Sequence, residues 1–134
     1  MLSCAAMNVA HHKVLLIDDS EISLHFVAGV LVSAGYDVRT ADDVDKLGGV
    51  LGDWRPDIIL TDVHMPGISG VELCRRLKSN DETARVPVVL LSAAPRHELE
   101  GLARDCEADG FLSKATGLEK LPGEIAHLIE ITLS

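Results

Sequence analysis

The sequence predicts an α/β protein: a three-layer, doubly wound sheet of five parallel strands with helices on both faces. From Lys13 onward, short runs of apolar and β-branched residues alternate with longer segments of helical period. The short runs are apolar almost throughout, which suits strands buried on both faces of a parallel sheet. Most of them lead into a polar residue: Asp18-Asp19 after the first, Asp62 after the third, Ser92 at the end of the fourth and Lys114 after the fifth. The carboxyl ends of parallel strands share one rim, and open α/β sheets place their chemistry there. A chain of 134 residues can bury one sizeable core and is too short for two ordinary domains. Residues 1–12 are expected to be a flexible N-terminal segment and residues 13–134 a single domain.

Val14-Leu15-Leu16-Ile17 is the first strand, and Ser20 is placed to cap a helix that runs to about Ala34 and ends at Gly35. Tyr36 to Thr40 is the second strand. Asp42 can cap a second helix that turns Val44, Leu47 and Leu51 inward. Gly48, Gly49 and Gly52 make it the softest element, because an interior helix glycine costs about 1 kcal/mol relative to alanine. Pro56 stops that helix, and Asp57 to Thr61 is the third strand. Ser69 to Lys78 forms a third helix with Val71, Cys74 and Leu77 at helical spacing. Pro87 to Ser92 is the fourth strand, its proline at the first residue, where a missing donor matters least. A fourth helix covers Arg96 to Glu107 with Leu99, Leu102, Ala103 and Cys106 inward. Gly110 to Ser113 is a short fifth strand. Leu121 to Leu133 is the last helix, with Pro122 in its first turn and Ile125, Leu128 and Ile129 inward. Strands and helices that alternate in this way pair in parallel through crossover helices.

The 12 basic residues against 21 acidic ones leave a formal charge of −9, which disfavours direct binding to nucleic acid or to an anionic membrane. A protein surface or a metal cation is the expected partner. Cys4, Cys74 and Cys106 lack the paired spacing of a disulfide framework or a zinc site and read as reduced thiols of a cytoplasmic protein. The first dozen residues lack the basic start and long apolar core of a signal peptide. No stretch approaches the roughly 20 apolar residues that span a bilayer. His11-His12 reads as solvated.

Brought to one rim, Asp18, Asp19 and Asp62 would repel one another unless a cation sat among them. Hard carboxylate oxygens with room left for water suit magnesium better than zinc or copper. Lys114 then answers a second negative group, which suggests a phosphate-like ligand.

Taken in order, these residues resemble the receiver domain of bacterial two-component response regulators, over about Lys13 to Leu133. The resemblance rests on Asp18-Asp19, Asp62, the Met65-Pro66 pair, Gly70, Ser92-Ala93, Phe111 and Lys114. It implies a flavodoxin-like, chemotaxis-regulator-like fold with strand order 2-1-3-4-5. It also implies Mg2+ held by Asp18, Asp19, Asp62 and the backbone carbonyl of His64. Asp62 would accept a phosphoryl group from a histidine kinase or a histidine phosphotransfer protein. Ser92 would donate to a phosphoryl oxygen, Lys114 would meet its charge, and Ser92 with Phe111 would form the switch. Output would pass to a downstream protein through the face built from the fourth helix, fifth strand and fifth helix. The resemblance implies a monomer or weak homodimer with no direct contact to nucleic acid or membrane. Its activity would be self-catalysed acceptance and hydrolysis on Asp62, without turnover of outside substrates.

The family usually has proline after the strand-five lysine, in a cis peptide, where this chain has Ala115. A cis bond before a non-proline residue costs about 2.5–4 kcal/mol, so a trans bond is expected. That substitution supports an alternative, a receiver-like protein-interaction module that signals without phosphorylation. An aspartate-nucleophile phosphatase would carry a second aspartate where His64 stands. A flavodoxin-type cofactor protein would need a glycine- and hydroxyl-rich first loop in place of Asp18-Asp19-Ser20.

Overall fold

In the computed structural model of the chain, residues 12–42, 54–65, 67–114 and 117–133 are described. The strands are β1 (Lys13–Ile17), β2 (Asp37–Ala41), β3 (Ile58–Asp62), β4 (Val88–Ser92) and β5 (Gly110–Ser113). The helices are α1 (Glu21–Ser33), α2 (Gly70–Ser79), α3 (Arg96–Cys106) and α4 (Leu121–Leu133), the last entered through a 3-10 turn at Leu118–Lys120. All strand pairs are parallel, in the order β2-β1-β3-β4-β5. The helix expected after Asp42 falls on residues 43–53 and lies outside the described residues, as do the first 11 residues and Ala115.

Alternation along each strand divides the core into two layers, since successive strand residues face opposite sides of the sheet. Leu15, Ile17, Ile59 and Leu90 pack with Leu73, Cys74 and Leu77 of α2 and Leu99, Ala103 and Cys106 of α3. Val14, Leu16, Ile58, Leu60, Val89 and Leu91 pack with Leu24, Val27 and Leu31 of α1 and Leu121 and Ile125 of α4. Leu102 and Leu128, expected fully inward, sit at the margins of these layers and are only partly buried.

Local signals set the ends of the elements. Ser20 and Ser69 cap α1 and α2, accepting hydrogen bonds from the backbone N–H of Ser23 and Glu72 respectively. Gly35 ends α1 at a φ of 100°, a conformation that glycine adopts without the Cβ penalty. Helix α3 stops one residue earlier than expected because Glu107 takes the left-handed conformation, with φ 61°, and turns the chain toward β5. The second and third strands begin one residue later than the apolar runs suggest. Tyr36 is buried as a side chain ahead of β2. The Asp57 carboxylate accepts the Lys13 backbone N–H at 2.8 Å, so Asp57 caps the start of β1 instead of extending β3. β3 runs to Asp62, which stands in register with Leu91 of β4.

At the opposite end of the sheet, Lys78 of α2 pairs with Asp109 at 2.6 Å and donates to the Val86 carbonyl at 3.0 Å. Asp109 also accepts from the Val88 backbone N–H at 2.8 Å. One carboxylate thus joins α2, the start of β4 and the loop before β5. Replacing Asp109 by alanine leaves a partly buried ammonium and a backbone donor without this partner. The expected loss is about 2 kcal/mol in chemical denaturation with an unchanged slope. A loss below about 0.5 kcal/mol would show that solvent fully replaces the carboxylate.

Candidate functional site

Because β1 and β3 are neighbours, their carboxyl ends bring Asp18, Asp19 and Asp62 together. One carboxylate oxygen from each lies within 4.8 Å of the others. Asp18 is buried, Asp62 partly buried and Asp19 exposed, so the cluster opens to solvent on one side. Asp18 is the most constrained. Its backbone N–H donates to the Ala41 carbonyl at 3.1 Å, and its Oδ1 accepts the Ser20 N–H at 3.0 Å. Asp62 is held from its own backbone. Gly70 packs so closely that any Cβ would overlap the Asp62 carbonyl, and the Gly70 N–H donates to the Val63 carbonyl at 2.8 Å.

The environment pushes Asp18 and Asp62 in opposite directions. For Asp62, burial and then the nearby Asp18 charge raise the pKa above the ordinary carboxylate value, against a lowering influence from Lys114. For Asp18, burial also acts upward, but hydrogen bonds from Ser23, the Ser20 backbone and Lys114, with the Lys114 charge, outweigh it and lower the pKa. Lys114 comes from the end of β5, and its Nζ lies 3.2 Å from Oδ2 of Asp18 and 2.8 Å from the Ser23 hydroxyl. Lys114 therefore joins the cluster, as the sequence suggests, but its hydrogen bonds go to the β1–α1 side and not to Asp62.

Ser92 ends β4, beside β3, and is buried. Its hydroxyl oxygen accepts the Ala94 N–H at 3.1 Å, while the Ser113 hydroxyl donates to the Ala94 carbonyl at 2.8 Å. Two serines thus hold the loop after β4. Phe111, paired with Leu90 in register, is partly buried, and the Arg96 guanidinium lies 5.3 Å from its ring centre. His64 is exposed, two residues beyond Asp62. The sequence did not point to Ser23, Ser113 or Arg96. Arg96 read there as the start of a helix and Ser113 as the end of a strand; only the folded chain brings these residues and Ser23 to the site.

Among the described residues this is the one group of three or more acidic, histidine or cysteine side chains close enough to share an ion. Its donors are all carboxylates, a hard-oxygen set that fits magnesium or calcium and offers nothing to a thiolate-seeking metal. Among the described residues no helix is long and apolar enough to cross a membrane.

A family model described as a response regulator receiver domain matches residues 14–126. The phosphate regulon transcriptional regulatory protein PhoB of Pseudomonas aeruginosa is 29% identical over 119 residues, covering 89% of this chain and 52% of that protein. A gliding motility regulatory protein of Myxococcus xanthus is 39% identical over 119 residues, covering 87% of this chain and 15% of that protein. The chain thus spans about half, or less, of the length of these relatives. The structure of the Vibrio cholerae chemotaxis response regulator CheY4 superposes with a TM-score of 0.78 at 28% identity, covering 88% of this chain and 98% of that one.

Proposed function

Since the chain belongs to the receiver domains of two-component response regulators, we propose that it forms one receiver unit over residues 13–134 and carries its signal as a phosphoryl group on Asp62. The observation that carries this reading is the convergence of Asp18, Asp19 and Asp62 within 4.8 Å, with the Lys114 ammonium beside Asp18. The donor would be a phosphohistidine of a histidine kinase or phosphotransfer protein. An Asp62 oxygen attacks phosphorus, and the phosphorus–nitrogen bond breaks with its electron pair going to the imidazole, which takes a proton from water. The chain supplies the reacting group and its surroundings itself and does not act on outside substrates.

Asp18, Asp19 and Asp62, with the His64 backbone carbonyl, are the residues that would hold magnesium. The ion, when bound, neutralises charge building on the transferred oxygens. Lys114 adds a second positive charge at the same rim. The Ser92 hydroxyl uses its oxygen as an acceptor from Ala94 and keeps its proton for a phosphoryl oxygen. Drawing Ser92 inward moves the loop tied to Ser113 and opens space beside Phe111. The readout surface is then the α3–β5–α4 face, which offers a downstream protein a changed contact. A module that signals without phosphorylation is not favoured, because the chain matches the receiver family over residues 14–126 and keeps Asp18, Asp19, Asp62, Ser92 and Lys114 at the strand ends.

Saturating beryllofluoride with magnesium, a phosphoryl mimic, is expected to shift the amide resonances of Ser92, Ala94 and Phe111 and to move the Phe111 ring signals. Spectra unchanged at those positions would contradict the reading.

A further inference from the structure

Lys114 leaves β5, an edge strand, yet its ammonium binds groups beyond β3. Asp18 and Ser23 belong to the end of β1 and the first turn of α1, and β3 stands between β1 and the strand from which the lysine comes. Lys114 thus ties the loop after β5 to the corner of β1 and α1, which lies on the other side of β3 in the strand order. Ser23 is a fixed acceptor. Its backbone N–H donates to the Ser20 hydroxyl at 3.2 Å, which fixes the residue in the first turn of α1. The ammonium–hydroxyl contact, at 2.8 Å, is shorter than the ammonium–carboxylate contact, at 3.2 Å. The Lys114 side chain is only 19% exposed, so water competes weakly for it.

These two contacts respond differently to a cation. A divalent ion among the carboxylates repels the ammonium from Asp18, whereas the neutral Ser23 hydroxyl remains an acceptor. Ser23 is then the contact that still holds the lysine on the α1 side.

We propose that Ser23 is a positioning residue for Lys114, holding the ammonium on the α1 side of the acidic cluster and away from whatever group arrives on Asp62. The hold itself is a property of the metal-free fold. Its consequence, that Lys114 must release Ser23 to meet a phosphoryl group, rests on the acceptor reading of Asp62. Ser23 thereby weakens the binding of that group.

The test compares wild type, Ser23→Ala and Ser23→Thr in two measurements. In metal-free protein, the Lys114 ammonium protons are observed by 1H–15N NMR at low temperature, where hydrogen bonding slows their exchange with water. Ser23→Ala is expected to speed that exchange about ten-fold, in keeping with the loss of one hydrogen bond to a charged donor, and Ser23→Thr to restore it. With magnesium present, Ser23→Ala is expected to bind beryllofluoride about five-fold more tightly than wild type, and Ser23→Thr to return to the wild-type affinity. Unchanged Lys114 exchange in Ser23→Ala, or beryllofluoride binding that is equal or weaker, overturns the role of Ser23. Absence of beryllofluoride binding in wild type overturns the acceptor reading instead, and the metal-free exchange still decides whether Ser23 holds the lysine.

Discussion

Gly70→Ala is expected to destabilise the protein by at least about 3 kcal/mol, the upper end of overpacking costs, because the obstacle is backbone and cannot rotate away. The added methyl would overlap the Asp62 carbonyl oxygen and crowd the Asp62 carbonyl carbon and the Val63 Cα, both at 2.9 Å. Relief requires the start of α2 to move off the end of β3. That motion breaks the Gly70 N–H to Val63 carbonyl hydrogen bond and carries Asp62 out of line with Asp18 and Asp19. Denaturant unfolding checks the stability, and magnesium titration of the folded variant checks the site. A loss under about 1 kcal/mol with wild-type metal affinity would mean that α2 and β3 are not rigidly coupled.

Asp62→Asn is expected to act in the opposite direction on stability and, on the proposed reading of Asp62, to abolish phosphoryl acceptance. Asp62 has a folded-state pKa raised first by burial and then by the Asp18 charge. Its stability contribution is therefore complete below the ordinary carboxylate value of 3.8 and is lost as pH rises through the higher folded value. A neutral asparagine avoids that loss. Metal-free Asp62→Asn should match wild type in acid and become the more stable protein as pH rises past the carboxylate range. The sign rests on Asp62, since Asp18, whose pKa is lowered, contributes stability above its ordinary value that is lost in acid. Magnesium is expected to reverse the ranking, because an ion held by the three carboxylates of the folded wild type would raise its melting temperature with concentration. Thermal melts across pH, with and without magnesium, check both halves.

The order and type of the elements were legible because buried parallel strands leave continuous apolar runs and their helices leave clear caps. Ser20, Gly35 and Gly110 stand where the sequence placed them, and Ser69, expected to begin its helix, stands one residue before it as its cap. The one-residue shifts at β2 and β3 were not legible. Asp57 reads as strand until its carboxylate is seen capping Lys13, a contact made across 44 residues. The site was legible in its strand-end residues for the same reason: parallel topology alone sends Asp18, Asp62, Ser92 and Lys114 to one rim. The direction in which each side chain turns was not. Lys114 bonding to Ser23 and Asp18, Ser113 holding Ala94 and Arg96 covering Phe111 depend on distances between elements far apart in sequence.

Phosphorylation of Asp62 is tested most directly by intact mass measurement after incubation with acetyl phosphate and magnesium. An Asp62 oxygen takes the phosphoryl group, and acetate leaves with the electron pair. Wild type is expected to gain one phosphoryl group, with the gain abolished by chelating the magnesium and absent in Asp62→Asn. No gain in wild type, or an equal gain in Asp62→Asn, would contradict the assignment of Asp62 as the acceptor.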